Sequence, residues 1–217
     1  MLCIFRQKVL QLGMLTAATF YLVRHGESAW NVKNLIQGQS TTHNPLTPHG
    51  QEQAIILSDI FNKIRIDEIF SSDLERATQT AKIIGKKMKL SVHTAVELRE
   101  QNHGDYEGQK GSDNMSLFLG WKNLTEAEKE VLKIENTGES DIECTNRLKN
   151  FIKKIAVLYP LKTIMLVTHG GIMKHFLTYL EKLDENNGMT IDNTGYICIK
   201  CNGNYFDIET IFGFKKT

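Results

Sequence analysis

Residues 19–31 read TFYLVRHGESAWN, and a second stretch, residues 163–171, reads TIMLVTHGG. In both, a short apolar run ends abruptly in His-Gly. Phe20 to Val23 is four apolar residues with aromatic and β-branched members, which predicts a buried strand. The Gly26 and Ser28 that follow predict a tight turn into a helix. Thr163 to Val167 predicts the clearest buried strand in the chain, running into Thr168-His169-Gly170-Gly171 and a helix through Leu180. Two strand-His-Gly-helix units in one parallel sheet would bring His25 and His169 to the same edge. In open α/β sheets that edge binds ligands, because the helix beyond it presents unpaired N–H groups and the positive end of its dipole. Arg24 at the end of the first strand adds a cation to a natural anion site.

Between the two units the pattern continues as α/β. Thr47-Pro48 marks a helix start, with Thr as N-cap and Pro at the first position, followed at helical spacing by Ala54, Leu57, Phe61 and Ile64. Residues 68–71 predict a second strand, and Ser72 with Glu75 a capping box opening a helix whose buried stripe is Leu74, Ala77, Ala81, Ile84 and Met88. Arg76 falls in the first turn of that helix, where the dipole disfavours a cation. A locally unfavourable choice at a strand end suggests that Arg76 answers an anion. Residues 91–98 predict a third strand, and residues 99–108 a polar loop holding Glu100. Ser140 and Glu143 form a further capping box, opening a helix to about Leu158 with Leu148, Phe151, Ile155 and Leu158 inside. Thr194 to Cys201 and Tyr205 to Phe212 predict an antiparallel hairpin at the sheet margin. The fold class is thus α/β, with a mostly parallel central sheet.

The chain has 217 residues, 41% hydrophobic and 24% charged, enough for one domain with a full core. A net charge of +1 gives no reason to expect nucleic acid or a membrane surface as partner, and no stretch reaches the ~18 apolar residues of a membrane helix. Residues 1–18 read as an extension before the domain at 19–217. They faintly resemble a secretory signal, but Gln11 interrupts the apolar run, and a start at Met14 is the simpler reading. The four scattered cysteines suggest no disulfide framework and fit the cytoplasm. Cys198 and Cys201 have metal-ligand spacing, yet strand alternation turns them to opposite faces. No metal or cofactor is implied. Residues 109–138 lack a strong apolar stripe and read as a lid-like insertion over the sheet rim. His43, His49, His93, His103 and His175 read as solvated or capping residues, and Trp30 as packing.

Arg24, His25, Arg76 and His169 converging over helix N–H groups would suit a phosphoryl group, since arginine forks match phosphate oxygens and stabilise charge as it moves during transfer. A neutral imidazole can attack phosphorus if its other nitrogen is held in the N–H form by an acceptor.

These stretches resemble the histidine phosphatase superfamily, which includes the cofactor-dependent phosphoglycerate mutases, over residues 19–212. Arg24-His25-Gly26-Glu27-Ser28 is similar to the family's nucleophile motif, which implies that His25 is phosphorylated. Asn31, Gln37-Gly38 and Pro45-Leu46-Thr47 fall where relatives carry phosphate-pocket side chains and the next helix start. Residues 71–77, SSDLERA, resemble the segment that assigns Arg76 to the phosphate. Leu98-Arg99-Glu100 with the following GDYEG resembles the acid segment and implies Glu100 as proton donor. Thr168-His169-Gly170-Gly171 matches the motif whose histidine binds the phosphoryl group. The resemblance implies a three-layer α/β/α sandwich, with Arg24, Asn31, Gln37, Arg76, His169 and Gly170 around the phosphate. It also implies that Glu100, ordinarily titrating near ~4.3, is raised by the dianion beside it.

Departures bear on function. Relatives often have a basic residue where Leu35 stands and an Asp near His43-Asn44. The mutases usually show Thr-Gly-Trp where this chain has Gln37-Gly38-Gln39, an Arg where it has Gln101, and a longer basic insertion. These differences favour a phosphomonoester hydrolase acting on a small phosphorylated metabolite. A phosphoglycerate mutase and a non-catalytic phosphate-binding module are the alternatives, and oligomeric state stays open.

Overall fold

In a computed structural model the described residues are 17–114, 128, 133, 137–180, 189–203 and 205–216. Six strands form one sheet: β1 (Ala18–Arg24), β2 (Glu68–Ser71), β3 (Val92–Thr94), β4 (Thr163–Thr168), β5 (Met189–Cys201) and β6 (Phe206–Lys216). Their order is β3-β2-β4-β1-β5-β6. β3, β2, β4 and β1 run parallel, while β5 is antiparallel to β1 and β6 to β5. The helices are α1 (Ala29–Val32), α2 (Pro48–Phe61), α3 (Glu75–Met88), α4 (Asp141–Leu158) and α5 (Gly170–Tyr179).

Alternation along the central strands divides the core in two. Phe20, Leu22, Ile164 and Leu166 pack with Leu148, Ile152, Ile172 and Phe176 of α4 and α5. Val23, Met165 and Val167, facing the other way, pack with Leu57, Phe61, Ala77, Ala81 and Ile84 of α2 and α3. Helices on both faces make the predicted three-layer sandwich. Cys201 belongs to the α4–α5 side, whereas Cys198 meets Tyr21, which packs on the opposite side.

Local signals held where side chains satisfy helix ends. Thr47 Oγ1 accepts the Gly50 N–H at 3.0 Å, and Ser140 and Glu143 form the reciprocal capping box. The box at Ser72 does not form. The N-cap of α3 is Leu74, with no side-chain cap, because Glu75 is engaged elsewhere: its carboxylate accepts the Asn44 N–H at 2.8 Å and pairs with His43. Leu158 is 60% exposed, since α4 ends there and the chain turns off the core. The third strand is shorter than predicted, giving way to a 3₁₀ turn at Val96–Leu98. The hairpin is longer: β5 begins at Met189, and its pairing with β6 is interrupted between Ile191 and Tyr196. The extension before Ala17 and most of the insertion expected at 109–138, including Trp121, lie outside the described residues.

Candidate active site

β1 and β4 are paired in register, with Arg24 opposite Thr168, so the turns after them open side by side. The backbone N–H of His25 donates to the Thr168 carbonyl at 3.0 Å. The His25 and His169 rings meet edge to face, with centroids 5.2 Å apart. Both are buried. Arg24 donates through Nη1 to the Ile191 carbonyl on β5. Arg76, in the first turn of α3, is only 2% exposed and donates through Nη2 to the Gly38 carbonyl at 2.9 Å.

Four buried donor or acceptor atoms here have no hydrogen-bond partner among the described residues: Arg24 Nε, Arg76 Nε, and both ring nitrogens of His169. A buried polar group left unpaired costs about 1–3 kcal/mol, and more when charged. Two guanidiniums and an imidazole concentrated at one strand edge therefore form a prepared cradle for an oxyanion. Burial pushes both arginines below their ordinary values, Arg76 to about 10, against the pull of Glu100 on each.

The surroundings of His25 fix its tautomer and its charge. Its Nδ1 lies 2.7 Å from the Gly26 carbonyl, an oxygen that can only accept. Nδ1 must then carry the proton, leaving Nε2 with its lone pair. Burial, then the charges of Arg76 and Arg24, hold the ring well below the ordinary histidine value, so it is neutral at pH 7. Three supports fix the turn. Gly26 N–H donates to Thr80 Oγ1 at 3.0 Å, and that hydroxyl donates to the Arg76 carbonyl at 2.8 Å. Asn193 Nδ2 donates to the His25 carbonyl at 3.0 Å.

Glu100 faces this group from across the edge. Its Oε1 accepts from Ile172 N–H at 2.7 Å and Gln101 N–H at 2.9 Å, and Oε2 from Gly171 N–H at 2.9 Å. Burial pushes the carboxyl up, but nearby His103 and these three donors outweigh it, and the group sits below its ordinary value. The raised state expected from the sequence therefore does not belong to the free site, where the start of α5 holds the carboxylate ionised.

Asn31 and Gln37 line the same turn through their amide oxygens. Asn31 Oδ1 accepts from Ser28 N–H and Oγ, both at 3.0 Å, and Gln37 Oε1 accepts from Asn44 Nδ2 at 3.1 Å. With the oxygens engaged by the scaffold, the NH₂ ends are what each residue can offer a phosphate. Gly170 opens α5, so its N–H is one of the four that have no intrahelical acceptor. A Cβ there would come within 3.2 Å of Arg24 Nε.

Sequence reasoning missed the supports. Thr80 reads as an ordinary helix residue. Asn193 lies in Asp192-Asn193-Thr194-Gly195, a turn-like run inside a strand whose signal, a bulge, was there to be found. His175 is not solvated: its ring lies 3.0 Å from Gln101 Oε1 and pairs with Asp141 at 3.3 Å. Arg147, inside the helix predicted from Ser140 to about Leu158, hydrogen-bonds the Glu97, Arg99 and Glu100 carbonyls, a role that leaves no local signal.

Comparison with known proteins places this strand-edge arrangement in a family. The family model "Histidine phosphatase superfamily (branch 1)" matches residues 20–212. The chain belongs to this superfamily. Among its histidine phosphatase relatives, phosphoglycerate mutase-like protein 4 of Arabidopsis thaliana is 31% identical over 159 residues, covering 72% of this chain and 68% of that one. The adenosylcobalamin/alpha-ribazole phosphatase of Escherichia coli is 29% identical over 168 residues, covering 74% and 77%. A solved mycobacterial glucosyl-3-phosphoglycerate phosphatase superposes with a TM-score of 0.76 at 25% identity, covering 90% of this chain and 98% of the other. The protein is thus an enzyme of the phosphate-ester-hydrolysing histidine phosphatase class, on the phosphoglycerate mutase-like fold. Among the described residues no helix is long and apolar enough to cross a membrane.

Proposed function

We propose that the protein hydrolyses a small phosphate monoester in two steps through a phosphohistidine. Nε2 of His25 attacks phosphorus, the N–P bond forms and the ester P–O bond breaks, its electron pair leaving with the alcohol oxygen. Glu100 gives that oxygen its proton. Water then attacks phosphorus, the N–P bond breaks with its electrons returning to His25, and Glu100 takes the water's proton. Arg24, Arg76, His169 and the Gly170 N–H hold the phosphoryl oxygens throughout, with the NH₂ ends of Asn31 and Gln37 at the rim. Because Glu100 is ionised in the free site, it must acquire its proton as the ester binds. The dianionic phosphate arriving beside it raises its pKa in that direction.

The observation that carries this reading is the His25 tautomer: the Gly26 carbonyl fixes the proton on Nδ1 and frees Nε2 beside the unpartnered donors of Arg24, Arg76 and His169. A binding module needs no such arrangement. Hydrolysis is favoured over phosphoryl shuttling by Gln101. This residue stands where the mutases usually carry an arginine, and its side chain is 3% exposed and bonded to the Glu139 carbonyl and Asp141. The position after the acid is thus committed to the scaffold instead of to a second anionic group.

The test is release of p-nitrophenol from p-nitrophenyl phosphate by wild type and His25→Ala, with rapid quench to detect a phosphoryl adduct on the peptide carrying His25. We expect activity and adduct in the wild type only. Equal turnover by both proteins overturns the nucleophile assignment. Conversion of 3-phosphoglycerate to its isomer without phosphate release would reassign the enzyme as a mutase.

A further inference from the structure

Glu100 must hold one position through two proton transfers, yet its backbone belongs to neither a strand nor a helix. It lies between the 3₁₀ turns Val96–Leu98 and Gly104–Tyr106. The side chain that spans most of that loop comes from α4. Arg147 donates to three of its carbonyls, through Nη1 to Glu97 at 2.8 Å and Arg99 at 2.9 Å, and through Nη2 to Glu100 itself at 3.1 Å. Glu139, just ahead of α4, receives the remaining edge of the guanidinium at 2.8 and 2.7 Å. The same carboxylate accepts the Asn102 N–H at 3.0 Å and Gln39 Nε2 at 3.1 Å, and Gln39 Nε2 also donates to the Glu100 carbonyl at 2.9 Å. The backbone is thus held on both sides of the acid, while its carboxylate rests on the first N–H groups of α5.

We propose that Arg147 and Glu139 are positioning residues for Glu100, fixing the acid where it can reach the leaving oxygen and the attacking water. The inference rests on the proton-donor reading of Glu100. It also explains why an ion pair only 18% and 21% exposed stands here. A buried pair is weak support for stability compared with apolar packing, whereas a rigid planar fork can span three carbonyls that a lysine's point charge cannot. Displacement of a reacting group by about 1 Å can cost ~10²-fold in rate.

The test uses aryl phosphates running from p-nitrophenyl to phenyl phosphate, assayed with wild type, Glu100→Gln, Arg147→Lys and Glu139→Gln. A p-nitrophenolate departs with little help, while a plain phenolate needs the acid's proton. We expect Glu100→Gln to lose activity steeply toward phenyl phosphate. Arg147→Lys should follow the same slope, losing about 10–100-fold on phenyl phosphate and under about threefold on p-nitrophenyl phosphate. Glu139→Gln keeps the shape of the pair and carries the test if Arg147→Lys loses the fold. An equal loss on every aryl phosphate, no loss, or failure of both variants to fold makes the pair merely structural and overturns the proposal. If Glu100→Gln shows no dependence on the leaving group, the proton-donor reading itself fails, a result distinct from the first.

Discussion

At the scale of single residues the site is built against the stability of the free protein. Arg76 is almost fully buried with an unpartnered Nε, and burial draws its pKa down to about 10. Such a charge destabilises the empty site and becomes useful only when an anion arrives. Arg76→Met replaces it with a shorter, unbranched apolar side chain that removes the guanidinium. We expect a melting temperature equal to or above wild type, kcat lowered about 10²–10³-fold as for loss of one oxyanion donor, and loss of the thermal shift that inorganic phosphate gives the wild type. A folded but clearly less stable Arg76→Met protein with intact turnover would count against the cradle. Arg76 stood out in the sequence because a cation is out of place in a first helical turn, and His25 and His169 because each ends a strand before a Gly turn; Glu100, one carboxylate in a polar loop, was picked out only by the family resemblance. Thr80, Asn193 and Arg147 did not stand out, since each acts by hydrogen-bonding the backbone of a remote segment, which leaves no local trace.

At the scale of elements, two glycine turns do different work. A Cβ on Gly26 would lie 2.4 Å from the Gly50 carbonyl oxygen, where α2 crosses the nucleophile turn. Backbone cannot step aside, so Gly26→Ala should destabilise the fold by about 1–3 kcal/mol and disable catalysis. A Cβ on Gly171 would instead lie 2.7 Å from Glu100 Oε1, the end of a side chain. Gly171→Ala should keep a near-native melting temperature while displacing the acid, lowering kcat by about tenfold or more. Thermal melts beside kcat for the two variants check the contrast, and equal destabilisation would refute it. Strand and helix existence was readable because burial on two faces imposes its own period. Ends were less so: the capping box at Ser72 yielded to Glu75's bonds with Asn44 and His43, a choice made by a loop 31 residues away.

Across the whole molecule, sandwiching the sheet between two helical layers buries the catalytic edge, with consequences for pH. His25 and His169 are held well below the ordinary value by burial and by the arginines. Unfolded histidine titrates near ~6.5, so below that pH the unfolded chain binds protons that the native state refuses. The stability these residues leave intact above about pH 7 is therefore lost progressively as pH falls through ~6.5 toward their folded values. His175 is lowered by burial in the same direction, though Asp141 opposes the shift. We expect the melting temperature to drop between pH 7.5 and 5.5, and His169→Gln to flatten that drop. Parallel pH curves for both proteins would show that His169 does not titrate this way. Residues depressed as carboxylates, such as Asp73 bonded to Arg99, lose their contribution only at lower pH and do not confuse this window.

By itself the amino-acid sequence determined the α/β class and the two strand-His-Gly-helix units, and it singled out the residues proposed to react. Hydrophobic period and misplaced charge are local properties and survive in one dimension. Tertiary structure alone decided which carbonyl fixes the His25 tautomer, that Glu100 rests ionised on α5, and that Arg147 of α4 grips the acid's loop. Those are hydrogen bonds between segments distant in the chain, and their partners are chosen by how the strands order themselves, β4 beside β1, and not by any spacing along it.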